Sequence, residues 1–208
     1  MVIASIFTDS MLSCMDPPQQ HYLKTSLNLN ELNIYPFPGK TAQFLLADLF
    51  VQGEIEKNRF DIVFFSCGQN DVSRALSSES ALSGKSAKLI ASSIMNQLTP
   101  RIFSITSRFP STKFVFLPLT LRIPARRPNP KYPESQESEY VCRINQVLAF
   151  LVTWLLELDI SNFLFVEGPK LWDFPDTLTS KDGLHLSKEG LEEYLLSSII
   201  ELKRRVYI

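Results

Sequence analysis

Four short polar segments carry the residues of this sequence that could do chemistry. They are Thr8-Asp9-Ser10, Pro38-Gly39-Lys40-Thr41, Gly68-Gln69-Asn70-Asp71 and Asp182-Gly183-Leu184-His185. A serine hydroxyl becomes a good nucleophile only when a base takes its proton, and that base must itself be oriented by a third group. The segments contain a serine, a histidine, carboxylates and an amide, and these residue types are suited to acyl transfer.

Histidines are scarce in this chain, which has only His21 and His185. A histidine-dependent mechanism therefore has few ways to be built. His21 has no chemical partner that the sequence identifies, and we interpret it as a surface residue. His185 follows Asp182 by three residues, a spacing at which the carboxylate can meet the imidazole in a turn before a helix.

The polar segments follow short apolar runs, which predict buried parallel strands. The runs cover residues 2–7, 61–66, 113–119 and 162–166, with a weaker candidate strand within 26–35. Ligands of open parallel sheets bind outside the carboxyl ends of the strands. We therefore expect the four polar segments at one edge of the sheet.

Helical periodicity separates the predicted strands. One amphipathic helix is expected after Gly39 and to end near Gly53, and a second over 87–105, kinked or divided by Pro100. A third covers 141–158, and a fourth starts after Ser187 as its N-cap. Residues 122–139 lack periodicity and predict a long surface loop. Alternating strands and helices predict an α/β fold with a parallel sheet, in one domain spanning 1–208.

The four polar segments, in this order, resemble blocks I, II, III and V of the SGNH hydrolase superfamily, also called GDSL-type esterases. Gly68, Asn70 and Asp71 match block III, and the stretch DGLHLSKEG around His185 is typical of block V. The similarity spans nearly the whole chain. It implies a flavodoxin-like three-layer sandwich, with a central parallel sheet of about five strands and helices on both faces.

The resemblance also implies which residues act. Ser10 corresponds to the nucleophile, His185 to its base and Asp182 to the carboxylate that orients the base. The backbone N–H groups of Ser10 and Gly39 and the side-chain amide of Asn70 correspond to the donors of an oxyanion hole.

Two supporting roles follow from the same resemblance. A missing Cβ at Gly39 lets the backbone approach the substrate. Asp9 and Asp71 are expected to brace the loops and cap the helices that follow them.

Block I departs from the family pattern at one position. The family usually has Gly-Asp-Ser, whereas this sequence has Thr8 before Asp9 and Ser10. A β-branched side chain therefore stands beside the nucleophile turn, where it could narrow the pocket or shift Ser10. We interpret this departure as a caution against high rates rather than against catalysis.

Other chemistries have weaker support. The two histidines are far apart and no C-x-x-C pair occurs, so no zinc site is predicted and we expect neither metal nor cofactor. Ile34 occupies the position where a phosphate-binding loop ending in Gly39-Lys40-Thr41 requires glycine. Cys67 is expected to be a buried small residue rather than a nucleophile.

Composition limits the partners. The net charge is −1, so no global field attracts nucleic acid or an anionic membrane. A local basic cluster could contact an anion or nucleic acid, although we favour a solvated loop; it consists of Arg122, Arg126, Arg127 and Lys131.

The expected location is the cytoplasm. The three cysteines are odd in number and far apart, which favours free thiols. The amino terminus does not resemble a signal peptide. The longest apolar run, 147–156, is too short to span a bilayer.

Two functional hypotheses follow. The first is a cofactor-free serine esterase that hydrolyses small-molecule acyl esters, such as short-chain or acetyl esters, through an acyl-enzyme on Ser10. The second is a catalytically weak SGNH-like domain that serves as a binding or assembly module of a multidomain or mobile-element protein. Covalent labelling of Ser10 by an organophosphonate would separate them, because a binding module does not need an activated serine.

Overall fold

The sheet is parallel and its five strands follow the order β2-β1-β3-β4-β5. This computed structural model describes residues 1–9, 12, 15–78, 86–122, 134–167, 178, 180 and 185–206. The strands are β1 (Ile3–Thr8), β2 (Glu31–Pro36), β3 (Ile62–Ser66), β4 (Lys113–Phe116) and β5 (Phe163–Phe165). Four of them overlap the apolar runs that the sequence predicts, because strands buried on both faces leave continuous apolar runs. The fifth, β2, has only half-buried and exposed residues and overlaps the weaker candidate strand within 26–35.

Seven helices are present in the described part of the chain. They are α1 (Pro17–Ser26), α2 (Ala42–Ala47), α3 (Leu49–Asn58), α4 (Gln69–Ser78), α5 (Ala87–Arg108), α6 (Glu134–Glu157) and α7 (Lys188–Val206). Alternate strand residues point to opposite faces of the sheet, and a separate core covers each face. Helices α2 to α6 pack on one face, and α1 and α7 pack on the other. The predicted three-layer α/β sandwich is confirmed.

The helix predicted to end near Gly53 is two helices instead. Asp48 follows α2 and caps α3, because its carboxylate accepts the backbone N–H groups of Phe50 at 3.0 Å and Val51 at 3.2 Å. Gly53 lies inside α3, where an added Cβ would meet no atom within 4 Å. The prediction was wrong because a single glycine on the exposed face of a helix costs some stability but does not end the helix.

Pro100 does not divide α5, which runs unbroken from Ala87 to Arg108. Proline removes one backbone donor, but Leu98 and Ile102 on either side of it are buried and keep the helix on the core. Ser187 is confirmed as the N-cap of α7, since its Oγ accepts the backbone N–H of Gly190 at 3.0 Å.

The last part of the predicted loop 122–139 is helical instead, because α6 begins at Glu134 rather than near Val141. Residues 123–133 lie outside the described residues. The first turns of α6 are rich in Glu and Ser, so they lack the apolar periodicity that identifies the later turns. No helix in the described ranges is both long and apolar enough to cross a membrane.

Asp48 provides a test of the split between α2 and α3. Asp48→Ala should lower the free energy of unfolding by about 1 kcal/mol, because two backbone donors lose their acceptor. Asp48→Asn keeps an acceptor oxygen and should lie within a few tenths of a kcal/mol of the wild type. Urea unfolding of the three proteins measures both differences. Equal losses in the two variants would contradict the capping role.

Candidate active site

The carboxyl ends of β1, β2 and β3 meet at one edge of the sheet. Thr8, the last residue of β1, is in register with Pro36 and Ser66. Beyond the strands, the backbone N–H of Phe37 donates to the carbonyl of Thr8 at 2.7 Å, and that of Asp9 donates to the carbonyl of Ser66 at 3.0 Å. The polar segments that follow these three strands therefore lie together.

A tight turn follows β2. The backbone N–H of Lys40 donates to the carbonyl of Phe37 at 3.1 Å, and Gly39 has φ +73°. Proline second and a left-handed glycine third are the signature of a type II turn. The space beside the Gly39 Cα is open, and the Gly39 N–H has no acceptor among the described residues. This glycine is required by its backbone conformation.

The side chain of Asn70 links two loops at this edge. Its amide nitrogen donates to the carboxylate of Asp9 at 3.2 Å and to the backbone carbonyl of Lys40 at 3.1 Å. An amide group has two N–H bonds. Both are engaged here, so Asn70 holds the loop after β1 and the turn after β2 together.

Asp71 caps a helix that precedes it in the chain, which corrects the sequence expectation. It lies in the first turn of α4, and its carboxylate accepts the backbone N–H groups of Ala42 at 2.7 Å and Gln43 at 3.3 Å. Burial raises the pKa of this carboxyl above its ordinary value, while those two hydrogen bonds and the nearby Arg74 oppose the shift. Asp71 thereby attaches the start of α2 to α4.

Asp9 also does not cap the next helix, since the N-cap of α1 is Asp16. Asp9 is 4% exposed and accepts the Asn70 amide. Below this edge, Tyr194 of α7 is fully buried and its hydroxyl donates to the carbonyl of Pro118 at 3.1 Å. Burial raises the pKa of Tyr194, and the charge of Asp9 adds to the effect. Asp9 is therefore a brace between loops, as expected, and not a helix cap.

Two contacts of α4 were not predicted from the sequence. One holds the turn after β2, and the other holds the chain that follows β4. Arg74 Nη2 donates to the carbonyl of Gly39 at 3.1 Å, and Gln69 Nε2 donates to the carbonyl of Thr120 at 2.7 Å. Neither residue type signals such a role in the sequence.

Of the predicted basic cluster, Arg122 donates through Nη2 to Ser73 Oγ at 2.6 Å, so α4 anchors it too. The other three basic residues, Arg126, Arg127 and Lys131, lie outside the described residues.

His185 lies directly before α7 and is partly buried. Ser10 and Asp182 lie outside the described residues, and so does their arrangement relative to His185. Two backbone hydrogen bonds join His185 and Ser187 to described residues that precede them. The backbone N–H of Ser180 donates to the carbonyl of His185 at 2.8 Å, and that of Ser187 donates to the carbonyl of Leu178 at 3.0 Å.

Gly190 lets this segment lie against α7. A Cβ placed on Gly190 would lie 2.7 Å from the carbonyl carbon and 3.0 Å from the Cα of Leu178, and closer still to the Leu178 carbonyl oxygen. These are backbone atoms, which cannot turn aside as a flexible side chain can. The position of the His185 segment therefore depends on a residue without a side chain.

Cys67 follows β3 and is 5% exposed, which confirms the sequence prediction of a buried small residue. Burial raises the pKa of its thiol, and the charges of Asp71 and Asp9 raise it further. Such a thiol stays protonated and is a poor nucleophile. In the described residues, no group of three or more His, Cys, Asp or Glu side chains could hold a metal ion.

The sequence matches no protein-family model and no curated protein. Similarity appears at the level of structure. A lipase from a goat rumen metagenome superposes with a TM-score of 0.60 at 12% identity, covering 96% of both chains. A family 3 carbohydrate esterase from Clostridium thermocellum gives 0.60 at 16% identity, covering 98% of this chain and 96% of that one.

A carbohydrate acetylesterase from Sinorhizobium meliloti, Est24, gives a TM-score of 0.57 at 15% identity over 100% of both chains. Full-length similarity at this level of identity defines the fold. The chain has the SGNH hydrolase fold, as the resemblance of its four polar segments implies.

Replacing Gly190 tests the packing of the His185 segment. Alanine is normally the better helix residue, but Gly190→Ala should lower the free energy of unfolding by about 1–3 kcal/mol, because its methyl group collides with the Leu178 backbone. Denaturant unfolding measures the change.

Gly53→Ala is the matched control, because Gly53 lies in a helix with open space around it. It should leave stability unchanged or raise it by up to about 1 kcal/mol. A stability change of the same sign and size in both variants would refute the close-packing role of Gly190.

Proposed function

We propose that this protein is a cofactor-free serine esterase that hydrolyses short-chain acyl or acetyl esters of small molecules. Ser10 is the nucleophile, His185 its base and Asp182 the group that orients the base. The observation that carries the proposal is the meeting of the loops after β1, β2 and β3 at one sheet edge, in the fold of known esterases.

The proposed reaction has two steps. The Ser10 hydroxyl attacks the ester carbonyl while His185 takes its proton, and the tetrahedral intermediate collapses as His185 returns that proton to the departing alcohol. A water molecule, deprotonated by His185, then attacks the acyl-enzyme; the acid is released as the bond to Ser10 Oγ breaks and His185 gives the proton to that oxygen. Asp182 stabilises the charged imidazole in both steps. Every proton that His185 accepts is returned within the same step.

The oxyanion of each intermediate needs preorganised donors. The backbone N–H of Gly39 supports this role, since it lies in a fixed turn with open space beside it. The second proposed donor is the backbone N–H of Ser10. The Asn70 amide, the third, must share or release one of its contacts to Asp9 and Lys40 to reach the oxyanion.

Similar solved structures support the choice of substrate. Their names describe a lipase, a carbohydrate esterase and a carbohydrate acetylesterase, which all cleave acyl esters. We favour small acyl groups and a small-molecule ester for this chain. The proposal needs no metal and no organic cofactor, because the nucleophile, base and oxyanion donors are all protein groups.

Replacing Ser10 tests the nucleophile. Wild-type protein should hydrolyse p-nitrophenyl acetate faster than the butyrate and octanoate esters, and Ser10→Ala should lower kcat by roughly a thousandfold or more. An organophosphonate should add one label to the wild type, located on Ser10 by peptide mass mapping. Ser13→Ala, which changes a serine three positions further along the chain, should keep both properties. Turnover retained in Ser10→Ala would exclude Ser10 as the nucleophile.

The pH profile tests the base. A histidine accepts a proton only in its neutral form, so kcat should fall as the solution is acidified. His185→Gln should abolish activity, whereas His21→Gln should keep the wild-type profile. A profile that stays flat between about pH 8 and about pH 5 would contradict a histidine base.

A further inference from the structure

Thr8 stands where the SGNH family usually has glycine, and its side chain makes contacts that glycine lacks. It is the last residue of β1, is fully buried and precedes Ser10 by two positions. A buried hydroxyl needs hydrogen-bond partners. The identity of those partners shows what the substitution does.

The Thr8 hydroxyl has a partner on each side. It donates to the backbone carbonyl of Asp9 at 3.2 Å and accepts the backbone N–H of Leu12 at 3.2 Å. A hydroxyl has one proton to donate and lone pairs to accept with. Since the proton points to Asp9, a lone pair is available to Leu12. The side chain thus joins Thr8 to Leu12, the two ends of a segment whose sequence includes Ser10.

Contacts with other parts of the structure hold both ends of the segment 8–12. At its start, the Thr8 carbonyl accepts the Phe37 N–H at 2.7 Å, and the Asp9 N–H donates to Ser66 at 3.0 Å. At its end, the Leu12 side chain is fully buried in the core beneath α1 and α7. The hydroxyl of Thr8 joins the start of this segment directly to its end.

We propose that Thr8 is a positioning residue for the nucleophile, whose hydroxyl ties together the described residues on either side of Ser10 in the sequence. The proposal rests on the esterase function proposed above. The threonine is then a feature that helps to hold Ser10 in position, and not a defect of the site. Without the hydroxyl, the buried Leu12 N–H loses its acceptor.

Three substitutions separate the hydroxyl from the shape of the side chain. Thr8→Ser keeps the hydroxyl, Thr8→Val keeps the shape without it, and Thr8→Ala removes it with less bulk. The readouts are kcat and KM for p-nitrophenyl acetate and the second-order rate at which an organophosphonate labels Ser10. Thermal unfolding of each variant identifies the proteins that are folded at the assay temperature.

Thr8→Ser should stay within about twofold of the wild type in kcat and labelling rate. Thr8→Val and Thr8→Ala should lose roughly tenfold in both, with KM nearly unchanged, as expected for the loss of one hydrogen bond that orients the nucleophile. If valine at this position prevents folding, the alanine variant decides. A pure loss of stability would lower the melting temperature and leave kcat per folded molecule unchanged.

Two results would overturn the proposal: wild-type kcat and labelling rates in the folded variants without the hydroxyl, or an equal loss in Thr8→Ser. Failure of the underlying function looks different. In that case the wild type itself would neither take a label on Ser10 nor lose turnover in Ser10→Ala.

Discussion

A row of aromatic rings across the sheet is the constraint on which the candidate site depends. Each strand contributes one ring, and the centroids of neighbouring rings lie 4.8 to 5.8 Å apart. In sheet order, the rings belong to Tyr35, Phe7, Phe65, Phe116 and Phe163. Each ring is in contact with the ring of the next strand, so sliding one strand would separate it from both neighbours. The row therefore fixes the relative heights of the strands, and with them the common edge where their polar loops meet.

At that edge, α4 is the element to which the other loops attach. Its first two turns hold the start of α2 through Asp71, the loops after β1 and β2 through Asn70 and Arg74, and the β4 exit through Gln69. The contacts of Asp71 with Ala42 and of Gln69 with Thr120 are buried, so a lost partner there leaves a polar group without water or protein to bind. The loops are consequently held as one unit, which suits a reaction that needs donors in place before charge develops.

The sequence predicts the strands and the two-sided packing well, because a short continuous apolar run between polar turns is typical of a strand buried on both faces. It does not predict α1 or α4, since each is short, contains few apolar residues and depends on polar contacts. Leu23 is the only apolar residue of α1 that is buried, and a capping box around Asp16 starts the helix. The positions of the polar segments after the predicted strands identified the edge, and the family resemblance then suggested roles for their residues. The side-chain links across that edge join residues far apart in sequence, and no local pattern encodes them.

Asn70 and Thr8 both show that a match or mismatch to the family pattern does not determine the contacts that a residue makes. Asn70 matches the family pattern, yet in this structure its amide holds loops together, so an oxyanion would compete with Asp9 and Lys40 for the same protons. Thr8 departs from the pattern, yet its hydroxyl accepts the backbone N–H of Leu12, on the far side of the proposed nucleophile in the sequence. A family motif therefore locates this candidate site without specifying which contacts hold it. The precision of such a site depends on groups that need not touch the substrate.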